Sequence, residues 1–214
     1  MSKITNVKST HMNWGPFVMK TKLPGDVINE LKSKGRTAKI YWNKNLAGHL
    51  KKQIRYDQPD AEWFYEEVGP VFATYKELAD KYHGWNSSHQ NLKFHSLWVN
   101  FMTAGEFNPP HRHTGDVSFV IFCQTPEKLK EEREEYRGRG IKPGNLFFQY
   151  NTNYTGEDEK PWESNSYEFE PEVGDMYIFP AKLQHMVVPF TSEGTRISVS
   201  GNISFLSQDT VMIK

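Results

Sequence analysis

Three histidines and one arginine carry the strongest chemical signal in this chain. His111 and His113 stand two residues apart in NPPHRHTGD, His185 follows the run GDMYIFP and opens MVVPF, and Arg196 comes after it with ten residues between. Neutral imidazole is a good ligand for Fe, Zn, Cu or Ni. In extended chain, residues two apart project to one side, so the 111/113 pair can aim both rings at one point. A third imidazole from a distant segment would complete a facial set and leave coordination positions open for substrate or oxygen. Pro109-Pro110 stiffens the approach to His111. An arginine close by offers a planar fork that clamps a carboxylate. The combination describes a non-haem metal centre that also holds an anionic co-substrate, which is the equipment of an oxidative enzyme.

The segment around Arg196 adds a second, independent indication. Arg196, Ser198, Ser200 and Asn202 alternate with Ile197, Val199 and Ile203. Period-two alternation ordinarily marks a strand with one face in water. In a barrel backed by helices the sense inverts: the apolar face packs outward on the helices, and the polar face lines a ligand cavity where Ser198 joins Arg196 on the same anion.

The elements that must position these residues change character near residue 90. Before it the spacing is helical. Leu23-Pro24-Gly25-Asp26 reads as a helix start, Leu46 to Ile54 as a short helix after Asn45, and Asp60 to Tyr82 as a longer one whose apolar residues recur at three-to-four spacing before His83-Gly84-Trp85. After residue 90 come short β-rich runs at 94–101, 117–124, 145–150, 167–170, 176–180, 185–189 and 195–205, separated by Gly, Pro, Asn and Ser clusters. The charged stretch Pro126 to Arg137 reads as a solvated helix or mobile insertion, and Asn151 to Asn165 as a polar loop, either a lid or a plain connection. The expectation is one domain over 1–214, with 1–90 a helical buttress and 91–206 a mainly β core of sandwich or barrel type.

Composition narrows the partners. Lys plus Arg (26) equal Asp plus Glu (26), so there is no global electrostatic reason to expect nucleic acid or an anionic membrane, and no evident nucleic-acid patch stands out; any such binding would be local. The single cysteine, Cys123, excludes an internal disulfide and sits in the apolar run VSFVIFC, where a thiol packs. With no signal-peptide core at the N-terminus and no apolar run of about 18 residues, a cytoplasmic location is expected.

The order H-x-H, then GD-x-x-x-FP-x-x-x-x-H-x-V-x-P, then R-x-S resembles the 2-oxoglutarate and Fe(II)-dependent oxygenases, and most closely members encoded by tailed phages of marine cyanobacteria. The likeness spans about Leu97 to Phe205 and includes Trp98 and Asn100 ahead of the histidines and VSFVIFCQTP after them. It implies a double-stranded β-helix, a cupin-like jelly roll of eight strands in two facing sheets around the metal. It also implies Fe(II) held by His111, His113 and His185, and 2-oxoglutarate held by Arg196 and Ser198 with Trp98 and Asn100 near it. Oxygen would be the other co-substrate and ascorbate a stimulant. The family's usual motif is H-x-D, and here His113 stands in the place of the aspartate; Asp116 could supply an oxygen ligand if Thr114-Gly115 turns the chain back, although a solvated loop aspartate is the preferred reading. The implied activity is a hydroxylase that couples decarboxylation of 2-oxoglutarate to oxidation of a C–H bond on a protein side chain or small molecule. Two alternatives stand beside it: a cupin-like three-histidine metalloprotein that does not use 2-oxoglutarate, and a non-catalytic phage structural or host-interaction protein.

Overall fold

The computed structural model describes residues 4, 6–13, 15–84, 89–150 and 165–207. In chain order the strands are β1 (Ser9–Asn13), β2 (Phe17–Lys22), β3 (Ile40–Tyr41), β4 (Lys52–Arg55), β5 (His89–Met102), β6 (Asn108–His111), β7 (Val117–Gln124), β8 (Leu146–Gln149), β9 (Ser166–Phe169), β10 (Asp175–Pro180), β11 (Gln184–Val187) and β12 (Arg196–Ser207). The helices are α1 (Gly25–Thr37), α2 (Gln58–His83) and α3 (Leu129–Glu135). The strands form an eight-stranded sheet in the order β1-β2-β10-β7-β12-β5-β4-β3 and a four-stranded sheet in the order β6-β11-β8-β9. From β5 onward the chain passes back and forth between them, with β5, β7, β10 and β12 in the large sheet and β6, β8, β9 and β11 in the small one. That exchange is a double-stranded β-helix, as the sequence predicts, and β1–β4 extend its large sheet at both edges.

The large sheet is buried on both faces, and side-chain alternation decides what each face meets. Val117, Phe119, Ile121 and Cys123 of β7, Ile197 and Val199 of β12, and Met176 and Ile178 of β10 join Phe64, Val68, Val71 and Phe72 of α2 in one core. The intervening Val120, Phe122, Tyr177 and Phe179 join Leu146, Phe148, Phe169 and Val187 of the small sheet in a second. α2 starts where Asp57 accepts a hydrogen bond from the Asp60 N–H (3.1 Å) and ends at Gly84, whose left-handed φ of 64° suits glycine.

The N-terminal part departs from the helical reading in two places. β1 and β2 form a hairpin that joins the sheet through β10, and the stretch expected to be a helix at Leu46–Ile54 is instead an extended approach to β4. The physical cause is a sheet edge that needs a partner: β4 pairs along β5, while the Asn43 carboxamide donates to the Leu50 carbonyl and accepts the Gln53 N–H (3.0 Å), replacing the hydrogen bonds a helix would have made. The charged stretch after Pro126 does contain a helix, α3, anchored by buried Leu129 and Arg133. Of the loop expected at Asn151–Asn165, all but Asn165 lies outside the described residues. Among the described residues no helix is long and apolar enough to cross a membrane.

Gly201 tests the tightness of this packing. A Cβ at this position in β12 would stand 2.5 Å from the Phe119 ring and 2.7 Å from the Ser96 carbonyl oxygen. Gly201→Ala is expected to cost about 1–3 kcal/mol, read as a lowered urea midpoint with an unchanged slope, and an unshifted midpoint would show that the two strands have room to spare.

Candidate metal centre

The antiparallel pairing of β6 with β11 places His111 directly opposite His185, so their rings leave neighbouring strands on one face. His113 arrives differently from the expectation of a shared strand. β6 ends at His111, and the chain then turns onto the 180–182 segment, with the His113 N–H donating to the Ala181 carbonyl (2.8 Å) and the Ala181 N–H to the Asp116 carbonyl (2.9 Å). The ring centroids lie 4.3 Å (111/185), 4.8 Å (111/113) and 5.0 Å (113/185) apart, and one nitrogen of each comes within 4.8 Å of the others. Two nitrogens bound at about 2.1 Å to one ion at a right angle would be about 3 Å apart, so a small closing movement suffices.

Second partners orient two of the rings. Nδ1 of His111 faces the Pro109 carbonyl (2.7 Å) and Nδ1 of His185 the Leu183 carbonyl (2.9 Å). A carbonyl only accepts, so each Nδ1 carries the proton and each Nε2 keeps its lone pair. Burial lowers the pKa of all three: His111 downward, His113 to about 3 by burial and the neighbouring His111, and His185 well below its ordinary value by burial and the other two rings. Neutral imidazole is the form that binds a metal. Phe148 and Phe179 pack against His185. The Asp116 carboxylate accepts the Phe205 N–H (2.9 Å), and this residue is not part of the three-histidine group.

Arg196 reaches the same cavity from the opposite sheet. It is 1% exposed, its Nε has no hydrogen-bond partner, one terminal nitrogen approaches the Gly144 carbonyl at 3.4 Å, and its guanidinium lies 5.4 Å from the Phe122 ring. Burial, with a contribution from the charge of Arg133, pulls its pKa down to about 9. An unpaired buried cation costs several kcal/mol, and a carboxylate entering the cavity would be its partner. One residue pair along, Ser198 sits opposite Asn100 of β5, which sits opposite Gln53 of β4, and the Gln53 Nε2 donates to the Asn100 Oδ1 (3.0 Å). That bond turns the Asn100 amide so that its NH2 remains for the cavity. Trp98, buried, has its ring 5.6 Å from that of His113. All of the residues singled out from the sequence, Trp98, Asn100, His111, His113, His185, Arg196 and Ser198, therefore line one cavity. The donor set, three neutral imidazoles facing an unpaired guanidinium, fits a divalent iron and a dicarboxylate.

A family model described as "Putative 2OG-Fe(II) oxygenase" matches residues 96–202, half of the chain. The chain belongs to the 2OG-Fe(II) oxygenase family. Its cofactor is accordingly Fe(II) with 2-oxoglutarate as co-substrate. No curated protein matches this oxygenase in sequence. Among solved structures it resembles a viral collagen prolyl hydroxylase from Paramecium Bursaria Chlorella virus-1 in complex with 2OG (TM-score 0.54, 13% identity, covering 90% of this chain and 98% of that one). It also resembles a Pseudomonas putida prolyl-4-hydroxylase (0.54, 12%, 89% and 93%). A third neighbour is the non-heme alpha ketoglutarate dependent epimerase SnoN from nogalamycin biosynthesis (0.53, 13%, 87% and 76%).

Several cavity residues of the oxygenase escaped sequence reasoning: Gln53, Asn108 and the Leu46–Gly48 segment. Gln53 is 1% exposed and its Oε1 has no partner, yet in the sequence it is one polar residue among KKQIR. Gly48 gave a usable sign, since any Cβ there would collide with Asn108, Leu50 and Gln53. Glu106 braces this rim, its carboxylate accepting the N–H groups of Lys51 and Thr103 (2.8 Å each). Burial alone would raise its pKa, but those donors hold it below the usual value. The stabilisation is present above the unfolded pKa of about 4.3 and disappears as pH falls through the lower folded value. Glu106→Gln is expected to cost about 1–3 kcal/mol at neutral pH, with urea midpoints of the two proteins converging as the pH falls through the lowered folded pKa; midpoints that stay equally separated would show that the charge is not what holds the rim.

Proposed function

We propose that this oxygenase is a hydroxylase in which His111, His113 and His185 bind one Fe(II) through Nε2, while Arg196 and Ser198 receive the distal carboxylate of 2-oxoglutarate. Asn100 and Trp98 complete the co-substrate wall, Asn100 as a hydrogen-bond donor and Trp98 as an apolar surface beside His113. The observation that carries this reading is the buried Arg196 guanidinium, without a counter-ion among the described residues and lining the cavity that the three imidazoles share. It favours 2-oxoglutarate use over a cupin-like centre that has no need of the arginine. The full-length likeness to two prolyl hydroxylases supports the hydroxylase outcome. When bound, iron and 2-oxoglutarate supply the oxidation: oxygen and 2-oxoglutarate become succinate and carbon dioxide as a substrate C–H becomes C–OH.

The protein's own share is orientation and exclusion of water. Phe148 and Phe179 hold His185 from behind, the Pro109 and Leu183 carbonyls fix two tautomers, and burial keeps the imidazoles unprotonated. Asp116 serves the fold, tying the ligand-bearing turn to β12. Ascorbate would act by keeping iron reduced. The likeness to cyanobacterial phage proteins and a cytoplasmic place of work belong to the same reading, the second supported by the one buried, unpaired cysteine.

Anaerobic titration with Fe(II) and 2-oxoglutarate, followed by the visible charge-transfer band of the chelate, tests it. The parent protein should develop the band, and His111→Ala, His113→Ala and His185→Ala should each lose stoichiometric iron, whereas Asp116→Ala keeps it. Loss of metal in Asp116→Ala with retention in His113→Ala would reassign the second ligand. Arg196→Ala should bind iron normally and weaken 2-oxoglutarate by about one to three orders of magnitude, because a carboxylate loses its charged partner; an unchanged affinity would return the site to the cupin-like class. His113→Asp, which restores the usual carboxylate, should retain iron and convert 2-oxoglutarate to succinate at least as fast as the parent.

A further inference from the structure

The even overall charge hides a strong local separation. Between Arg36 and Pro126 every acid from Asp57 to Asp80 belongs to α2 or its cap, on the face of the large sheet away from the cavity, and the remaining acids are Glu106 and Asp116, both of whose carboxylates accept backbone N–H groups. Arg36 to Arg55, which supplies Leu46–Gly48 and Gln53 to the cavity, contains six Lys or Arg and no acid. Lys44, Lys51 and Arg55 flank the lining residues Leu46–Gly48 and Gln53 in the chain, Arg112 stands between His111 and His113, Lys182 follows Ala181, and among the described residues none of the five has an ion pair within 4.0 Å. The Lys182 ammonium donates to the carbonyl of His113 itself (3.2 Å), so this positive field begins at the metal centre.

Aromatic rings are interleaved with these charges. The Arg55 guanidinium lies over Trp42 (5.0 Å to the ring centre), Arg55 is paired in register with Trp98, and Trp98 neighbours His113. Cations alone would attract any anion, but planar side chains and a guanidinium plane in sequence toward the metal suit a ligand that is both anionic and planar at each repeat. An acidic peptide would use the charges and leave Trp42 idle.

We propose that the prime substrate is single-stranded nucleic acid, its phosphates held by the rim cations and one base passed along Trp42 and Arg55 to Trp98 beside the iron. This assignment rests on the oxygenase reading above and names the substrate class for the same site. A strand of about 4–16 nucleotides is the span such surfaces cover.

The test measures binding of a fluorescein-labelled oligothymidylate of about 15 nucleotides to the iron- and 2-oxoglutarate-loaded protein without oxygen, with polyglutamate of similar charge as competitor. Affinity should fall at least tenfold between about 50 and 200 mM salt. A Lys44→Glu/Lys51→Glu double variant should weaken binding by at least tenfold, and Trp42→Ala by about tenfold at every salt concentration. The charge-transfer band of each variant reports that the fold and the metal site are intact. Polyglutamate displacing the strand at equal charge concentration would overturn the proposal in favour of an acidic protein substrate. So would charge reversal or Trp42→Ala leaving strand binding unchanged in a protein that keeps the band. Strand binding without any band from the parent protein sinks the oxygenase reading alone, whereas a band without strand binding at low salt sinks this one alone.

Discussion

A sheet covered on both faces has no solvent side, so every polar side chain in it has to be answered by a partner or by a ligand. The large sheet here has α1 and α2 on one face and the small sheet on the other, and β12 runs through its middle. Ile197 and Val199 meet the helices; Arg196 and Ser198, necessarily turned the other way, enter the space between the sheets. Most polar side chains facing inward have found protein partners, such as Ser118 with Asn202 (2.7 Å) and Gln53 with Asn100. Arg196 has not. The packing that makes the fold stable is therefore the same constraint that makes the guanidinium wait for an anion, and site and scaffold cannot be separated at this strand.

The metal side obeys a complementary rule. Three imidazoles crowded within ring-contact distance repel one another when protonated, and burial removes the water that would relieve the repulsion, so the group stays neutral and available as ligands. In the proposed ligand set His113 stands where the resemblance implies an aspartate, so that set carries one negative charge fewer. A divalent ion held there would bring its full charge beside Arg196, and the dianionic co-substrate would be the principal source of compensation. On that reading the two sites are coupled: iron would gain more from 2-oxoglutarate here than in a centre with its own carboxylate.

The sequence was most legible where one residue type has one physical consequence. Period-two runs located all the strands from β7 to β12 because alternation survives burial on both faces when both cores are apolar, and Arg196 stood out because an arginine in such a run demands a reason. The N-terminal strands were obscure for the opposite cause. FVMKTK and KQIR are short and take their extended form from β10 and β5, partners more than forty residues away in sequence, so tertiary pairing overrides a local pattern that a helix fits as well. Gln53 and Asn108 were missed for the same reason: nothing near them in sequence declares a cavity. His113 lies beside His111 and His185, but the strand argument holds only as far as His111, and the turn beyond, tied down at Ala181, does the rest.

Neighbours of near-identical likeness include two prolyl hydroxylases and an epimerase, so this scaffold by itself does not choose what happens to the prime substrate. What they have in common with this chain is the fold. In this chain part of the cavity wall, Leu46–Gly48 and Gln53, comes from the segment between α1 and α2, outside the eight core strands and outside the residues that the family model spans. A segment that carries no obligation to the metal is free to vary in charge and aromatic content, and from Arg36 to Arg55 it is acid-free and aromatic-bearing in an otherwise neutral protein. On the proposed reading, selectivity for the prime substrate would be set by sequence that the catalytic core does not constrain.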